Sequence, residues 1–122
     1  MAYVLQTIEN GPRNVVLKVT GAADDAGGTI DISSYDVPGY TATDWNLKRV
    51  QGGSDQKISI EWDAISNMLA WEVAVGENTD HDFNKAGGIP NNAGAGKTGD
   101  VVITPAAAAD YSLMLSFTKR YT

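Results

Sequence analysis

Large apolar residues in this chain recur at every second position, in short runs broken by turn signals. Val15, Leu17 and Val19 alternate with Asn14, Lys18 and Thr20, and Ile58, Ile60 and Trp62 alternate with Lys57, Ser59 and Glu61. The same spacing joins Trp45 to Leu47, then Leu69 to Trp71, Val73 and Val75, and finally Tyr111 to Leu113, Leu115 and Phe117. Successive side chains of a strand point to opposite faces, so each run predicts a strand with one face in a core and one in water. Val101–Thr104 reads as a further short strand, Val4–Ile8 as an opening one, and Ile30 with Ile32 as a hint of another. A helix of 3.6-residue period would need apolar groups three and four apart, and the only helical signal is one possible turn at Pro105–Asp110.

Turn chemistry separates the runs: Asn10-Gly11-Pro12, Asp24-Asp25-Ala26-Gly27-Gly28, Pro38-Gly39 and Gly52-Gly53-Ser54-Asp55 combine tolerance of positive φ with side chains that bond the local backbone. The expected fold is therefore an all-β antiparallel sandwich, jelly-roll-like, of about seven to eight strands in a single domain spanning residues 1–122. From Gly76 to Gly99 the rhythm stops for 24 residues with six glycines, and only Phe83 and Ile89 are large and apolar. Two anchors repay little of the entropy of ordering so long a loop, so the expectation is one long loop ordered by packing on a neighbouring chain. On that reading, removing residues 86–96 leaves the sandwich folded.

Composition narrows the functions. Nine Lys and Arg against 15 Asp and Glu leave a net charge of −6, and the basic residues are dispersed, which argues against gripping a phosphate backbone. The absence of cysteine excludes disulfide scaffolds, thiolate metal sites and thiol catalysis. With neither a leader-like N-terminus nor an apolar run near 18 residues, the expectation is a soluble chain with no membrane partner.

Motifs that carry chemistry fail on their own terms. Gly94-Ala95-Gly96-Lys97-Thr98-Gly99 looks like the end of a phosphate-binding loop, but Asn91 stands where the first glycine is needed and a strand, not a helix, follows. Lys97 is then expected to be solvated or paired with a carboxylate across an interface. Asp80, Asp82 and Asn84 alternate like the start of a calcium loop, yet Lys85 replaces its glycine and Asn91 its closing glutamate. Glu61 and Glu72 sit at polar-face positions of neighbouring strands, where solvated surface carboxylates are expected. No G-x-S-x-G exists, the one histidine is His81, and Trp45, Trp62 and Trp71 fall on apolar faces, so they are assigned to core or sheet–sheet contacts. The expectation is a non-enzyme with no catalytic residue, cofactor or metal.

Two stretches, Glu9–Gly21 and Asp82–Val101, together resemble small structural proteins of tailed-bacteriophage virions, of the capsid decoration or cement type. The resemblance runs from the first strand to the closing Tyr111–Leu115 run and is weakest over residues 22–56. It implies a β-sandwich, made in the host cytoplasm, that clamps the major capsid protein on the capsid exterior of the virion, without nucleic acid and as a homo-dimer or homo-trimer. Combined with the loop, it makes Phe83, Asn84, Lys85, Ile89, Pro90, Asn91, Asn92 and Lys97 the expected capsid or subunit interface. A head–tail connector or tail-tube subunit and a host-surface carbohydrate-binding module stand as alternatives, the latter through Tyr35, Tyr40 and Tyr121.

Overall fold

Burial follows the alternation. In a computed structural model, residues 4–21, 27–106 and 110–121 are described, those at 77–79 and 86 by their backbone alone. Among them nine strands form: β1 (Val4–Asn10), β2 (Asn14–Gly21), β3 (Gly28–Ile30), β4 (Asp44–Ser54), β5 (Ile58–Trp62), β6 (Met68–Val73), β7 (Gly76–Asp82), β8 (Val101–Pro105) and β9 (Tyr111–Arg120). Two short 3-10 turns, Ile32–Tyr35 and Asn84–Ala86, are the helical content of the described residues.

The strands make two sheets, one of five in the order β1-β2-β9-β4-β7 and one of four in the order β3-β8-β5-β6, with antiparallel pairing throughout. Read from β2 onward, β2-β9-β4-β7 facing β3-β8-β5-β6 is the jelly-roll order, and β1 is an extra strand on the edge of the larger sheet. The sandwich expected from sequence is therefore present, with nine strands in place of seven or eight.

Between the sheets lie Val15, Leu17 and Val19 of β2, Trp45, Leu47 and Val50 of β4, Ile58, Ile60 and Trp62 of β5, Val101 and Ile103 of β8, and Leu113, Leu115 and Phe117 of β9, each almost wholly buried. Burying side chains of this size contributes about 1.5–3 kcal/mol each. Phe117 gathers the aromatics, with Trp45 at 5.0 Å and Trp62 at 6.5 Å between ring centroids, and Tyr35 meets Trp45 edge-on at 5.6 Å.

Three expectations are corrected. Gly76–Asp82 is a strand, paired with β4 through Gln51–Asp80 and Val50–His81; with no apolar residue in it, alternation could not reveal it. On β6, a bulge between Ile60 and Glu61 in the pairing shifts the register, and Leu69 is exposed while Val73 is buried. Val75 lies past the strand's end and is also exposed. Trp71 is half-buried at the margin of the core, resting on Phe83 at 4.8 Å and His81 at 5.0 Å, so it closes the gap between the β6 edge of one sheet and the β7 edge of the other. The helical turn expected at 105–110 falls largely on residues outside the described ones, as do residues 22–26.

Candidate functional site

The jelly-roll order sorts the connections onto two ends of the sandwich. One end collects the β1–β2 turn, residues 31–43 between β3 and β4, the β5–β6 turn at 63–67, the β7–β8 loop at 83–100, and the chain's last residues after β9. The other collects the β4–β5 and β6–β7 turns with what is described of the two remaining links.

At the first end the long loop is held by its own chain. Leu47 and Ile89 exchange both backbone hydrogen bonds, at 2.9 and 2.8 Å, so the loop adds a short rung beside β4 at the point where β7 has ended. Phe83 N donates to Lys48 O at 2.8 Å and Gly88 N to Phe83 O at 2.9 Å, while the Lys48 ammonium reaches Gly87 O at 2.9 Å. Further along, Ile65 N donates to Ala95 O, Thr98 N to Asp63 O, and the Thr98 hydroxyl to the Asp63 carboxylate at 2.7 Å. Gly99 then passes so close to the backbone of Thr43 that a Cβ would stand 2.4 Å from its carbonyl oxygen, and its φ of +88° is one L side chains rarely adopt.

Charge completes the tie. The Asp44 carboxylate is 5% exposed and lies 2.8 Å from the Lys97 ammonium and 3.5 Å from Arg120 Nε. The lysine of the phosphate-loop fragment therefore neutralises a buried carboxylate of its own chain, which corrects the expectation of a solvated or intermolecular Lys97. Asp100 presents one carboxylate oxygen to Ile32 N at 3.1 Å, and burial raises its pKa above the usual carboxylate value. Lys119, at the end of β9, donates to Asn10 Oδ1 at 2.8 Å and to Tyr35 O; burial lowers its pKa, with Asp36 partly opposing.

The expected interface residues divide accordingly. Asn84, Lys85, Pro90, Asn92 and Lys97 are exposed, whereas Phe83 and Ile89 pack against the core and Asn91 is buried, its Oδ1 accepting from Ala93 N at 3.1 Å. The two anchors legible in the sequence pack against their own sandwich. One feature has no signal in the local alternation: Ile65, at 83% exposure, stands over Gly96, with Met68 and Leu69 also exposed at the start of β6, giving this end an apolar patch beside the loop.

Acidic residues near the loop are engaged locally. Arg49 makes a two-point contact with Asp80 at 3.0 and 2.9 Å, holding its carboxyl below the ordinary range, and Asp82 is lowered by accepting from Asn84 N and Nδ2. Glu72 pairs with Lys57 at 3.4 Å, and Glu61 faces Leu69, not Glu72, across the strands. Among the described residues no three His, Asp or Glu side chains gather as metal ligands, and no helix is long and apolar enough to cross a membrane.

The second end is a shallow open groove lined by Gly21, Gly53, Asp55, Val75, Gly76 and Asp110 among others. Its tie is Asp55, whose N donates to Asp110 O at 3.1 Å and whose carboxylate accepts from Asp110 N at 2.9 Å. The fold and its ends define a β-sandwich of jelly-roll order. No family model, curated protein or solved structure matches the chain.

Proposed function

We propose that this chain is a structural protein of a tailed-phage particle, a decoration or cement subunit that sits on the outer surface of the head and braces contacts between copies of the major capsid protein. The observation that carries the reading is the loop at 83–100: it is long, yet fixed by its own backbone bonds and by Lys97–Asp44, and it holds Asn84, Lys85, Pro90 and Asn92 outward beside exposed Ile65, Met68 and Leu69. A preformed surface binds without the cost of ordering a loop, which suits a clamp. Jelly rolls recur among viral capsid domains, and a net charge of −6 suits a surface turned away from packaged DNA.

The test is the copy number relative to the major capsid protein in purified particles, by quantitative mass spectrometry. A ratio near that of the shell subunit supports decoration; far fewer copies point to a connector or tail position, and absence from particles overturns the reading. A second reading, a carbohydrate-binding module, is favoured by one feature: Tyr40 and Tyr121 are exposed, with ring centroids 5.9 Å apart. Titration with soluble glycans, followed by tyrosine and tryptophan fluorescence, tests it.

A further inference from the structure

The four sheet edges of the sandwich are not equally guarded. β3 is three residues long; β6 is broken by its bulge and carries Glu72; β7 carries Asp80 and Asp82, which would face like charges in a second copy. Short, bulged and charged edges are the ordinary protections against strand addition. β1 lacks them over Val4–Thr7, ahead of its own bulge at Ile8. It is the outer strand of the larger sheet, its pairing with β2 is regular from Val4 to Thr7, and its one charge, Glu9, comes only after the bulge. Among the described residues no strand pairs with its outer edge, which offers a row of backbone donors and acceptors, and two aliphatic side chains of the strand, Val4 and Ile8, are 63% and 50% exposed.

The residue order says what covers this edge. If two copies of β1 run antiparallel about a twofold axis at Gln6, Val4 stands opposite Ile8 of the second copy, Leu5 opposite Thr7, and Gln6 opposite itself. Each exposed aliphatic then meets the other, and the glutamines meet amide to amide. An axis one residue later, at Thr7, sets Val4 against Asn10 and Leu5 against Glu9, which buries nothing useful. The regular ladder with β2 ends at Thr7, and Ile8, the last residue of the proposed pairing, falls in the bulge before Glu9.

We propose that two copies of this chain associate through their β1 edges, antiparallel and centred on Gln6, joining the two five-stranded sheets into one. The contact is isologous and closed, so it stops at a dimer. Five paired residues make a small interface, and the dimer is one whose population rises with concentration. The pairing stands apart from the virion reading, since it concerns the isolated chain.

Sedimentation velocity across a concentration series, from about 1 μM to about 1 mM, reads the association directly. The expected result is a monomer–dimer equilibrium in the native chain, weakened about tenfold or more in Val4→Lys with Ile8→Lys, whose thermal melt stays close to the parent because both positions are exposed. The register has its own readout, because the chain has no cysteine. Opposed residues in an antiparallel pair have Cα atoms about 4.5–5.5 Å apart, within disulfide reach. Gln6→Cys should therefore oxidise to a covalent dimer under mild oxidant, while Ile65→Cys, at the loop end, stays monomeric. A native chain that sediments as a monomer throughout, a Gln6→Cys variant that fails to cross-link, a dimer indifferent to the lysines, or open-ended oligomers would each overturn the proposal.

Discussion

The two ends of the sandwich are built from the same sheets and finished differently. At the loop end, residues 83–100 are threaded through backbone bonds to β4 and to the 63–67 turn, and a buried carboxylate is neutralised from two sides. At the groove end the described turns are short, glycine-bearing and acidic, and the described ties between them are the paired bonds of Asp55 with Asp110 and the bond from Ala106 N to Lys57 O at 2.8 Å. Connections that carry their own tertiary bonds become part of the cooperative unit; those that merely reverse the chain can change with little effect on it.

Deleting residues 86–96 is the most severe way to break the contrast. It removes Ile89, Asn91 and the Ala95 carbonyl together, and the expected outcome is loss of several kcal/mol, on the order of the whole stability of such a domain, read as a collapsed or absent thermal transition. Survival of the native melt would show the loop to be an appendage, as its sequence first suggested.

Matched glycine substitutions give a gentler comparison. Gly99→Ala places a Cβ against Thr43 O as well as straining φ, and should cost about 3 kcal/mol; Gly76→Ala at the groove end meets open space and bears the φ penalty alone, about 1 kcal/mol. Chemical denaturation of both variants measures the difference, and equal losses would erase the distinction between the ends.

Lys97→Met leaves the Asp44 carboxylate buried with only Arg120 beside it. Because Lys97 is about a third exposed, the loss is smaller than for a fully buried pair, about 1–2 kcal/mol. Restoring the parent's midpoint in Lys97→Arg would confirm that charge, and not packing, is what was lost.

The smallest effect has the opposite sign. Burial raises the folded-state pKa of Asp100, so the folded chain binds this proton more tightly than the unfolded one, and stability falls as pH rises through the window from the ordinary carboxylate value up to the raised one. Asp100→Asn keeps an acceptor for Ile32 N without the buried charge. It should raise the melting temperature slightly at neutral pH and remove this contribution from the pH profile above the ordinary carboxylate value. A lowered midpoint would mean that the charge itself strengthens the bond to Ile32.

What could be read in the sequence follows from which physical signal each element depends on. β2, β5 and β9 bury one face completely, so Val15-Leu17-Val19, Ile58-Ile60-Trp62 and Tyr111–Phe117 announce themselves. β7 is placed by backbone bonds to β4, which leave no mark in Gly76–Asp82. Phe83 and Ile89 were legible as anchors, but what they anchor to depends on where β4 lies, 35 or more residues earlier in the chain. Lys97 and Asp44 are separated by 53 residues, and local spacing suggests a phosphate loop because it has no access to the carboxylate. The apolar patch at Ile65, Met68 and Leu69 was hidden by the β6 bulge, which turns a strand-like alternation outward.

The order of the larger sheet has a consequence for how the protein is made. β9 follows every other described strand in the chain, yet it lies in the middle of the sheet, between β2 and β4, along its whole length. Until Arg120 emerges, the β1–β2 hairpin and β4 have no common neighbour, and their inward faces wait in water or in the care of a chaperone. Closure is thus a single late event joining parts of the chain about a hundred residues apart, and non-local pairing of that kind sets refolding on the slow side, in milliseconds to seconds. Without Tyr111–Arg120 the β1–β2 pair and the β4–β7 pair would share no strand, so this one strand carries the closure of the larger sheet.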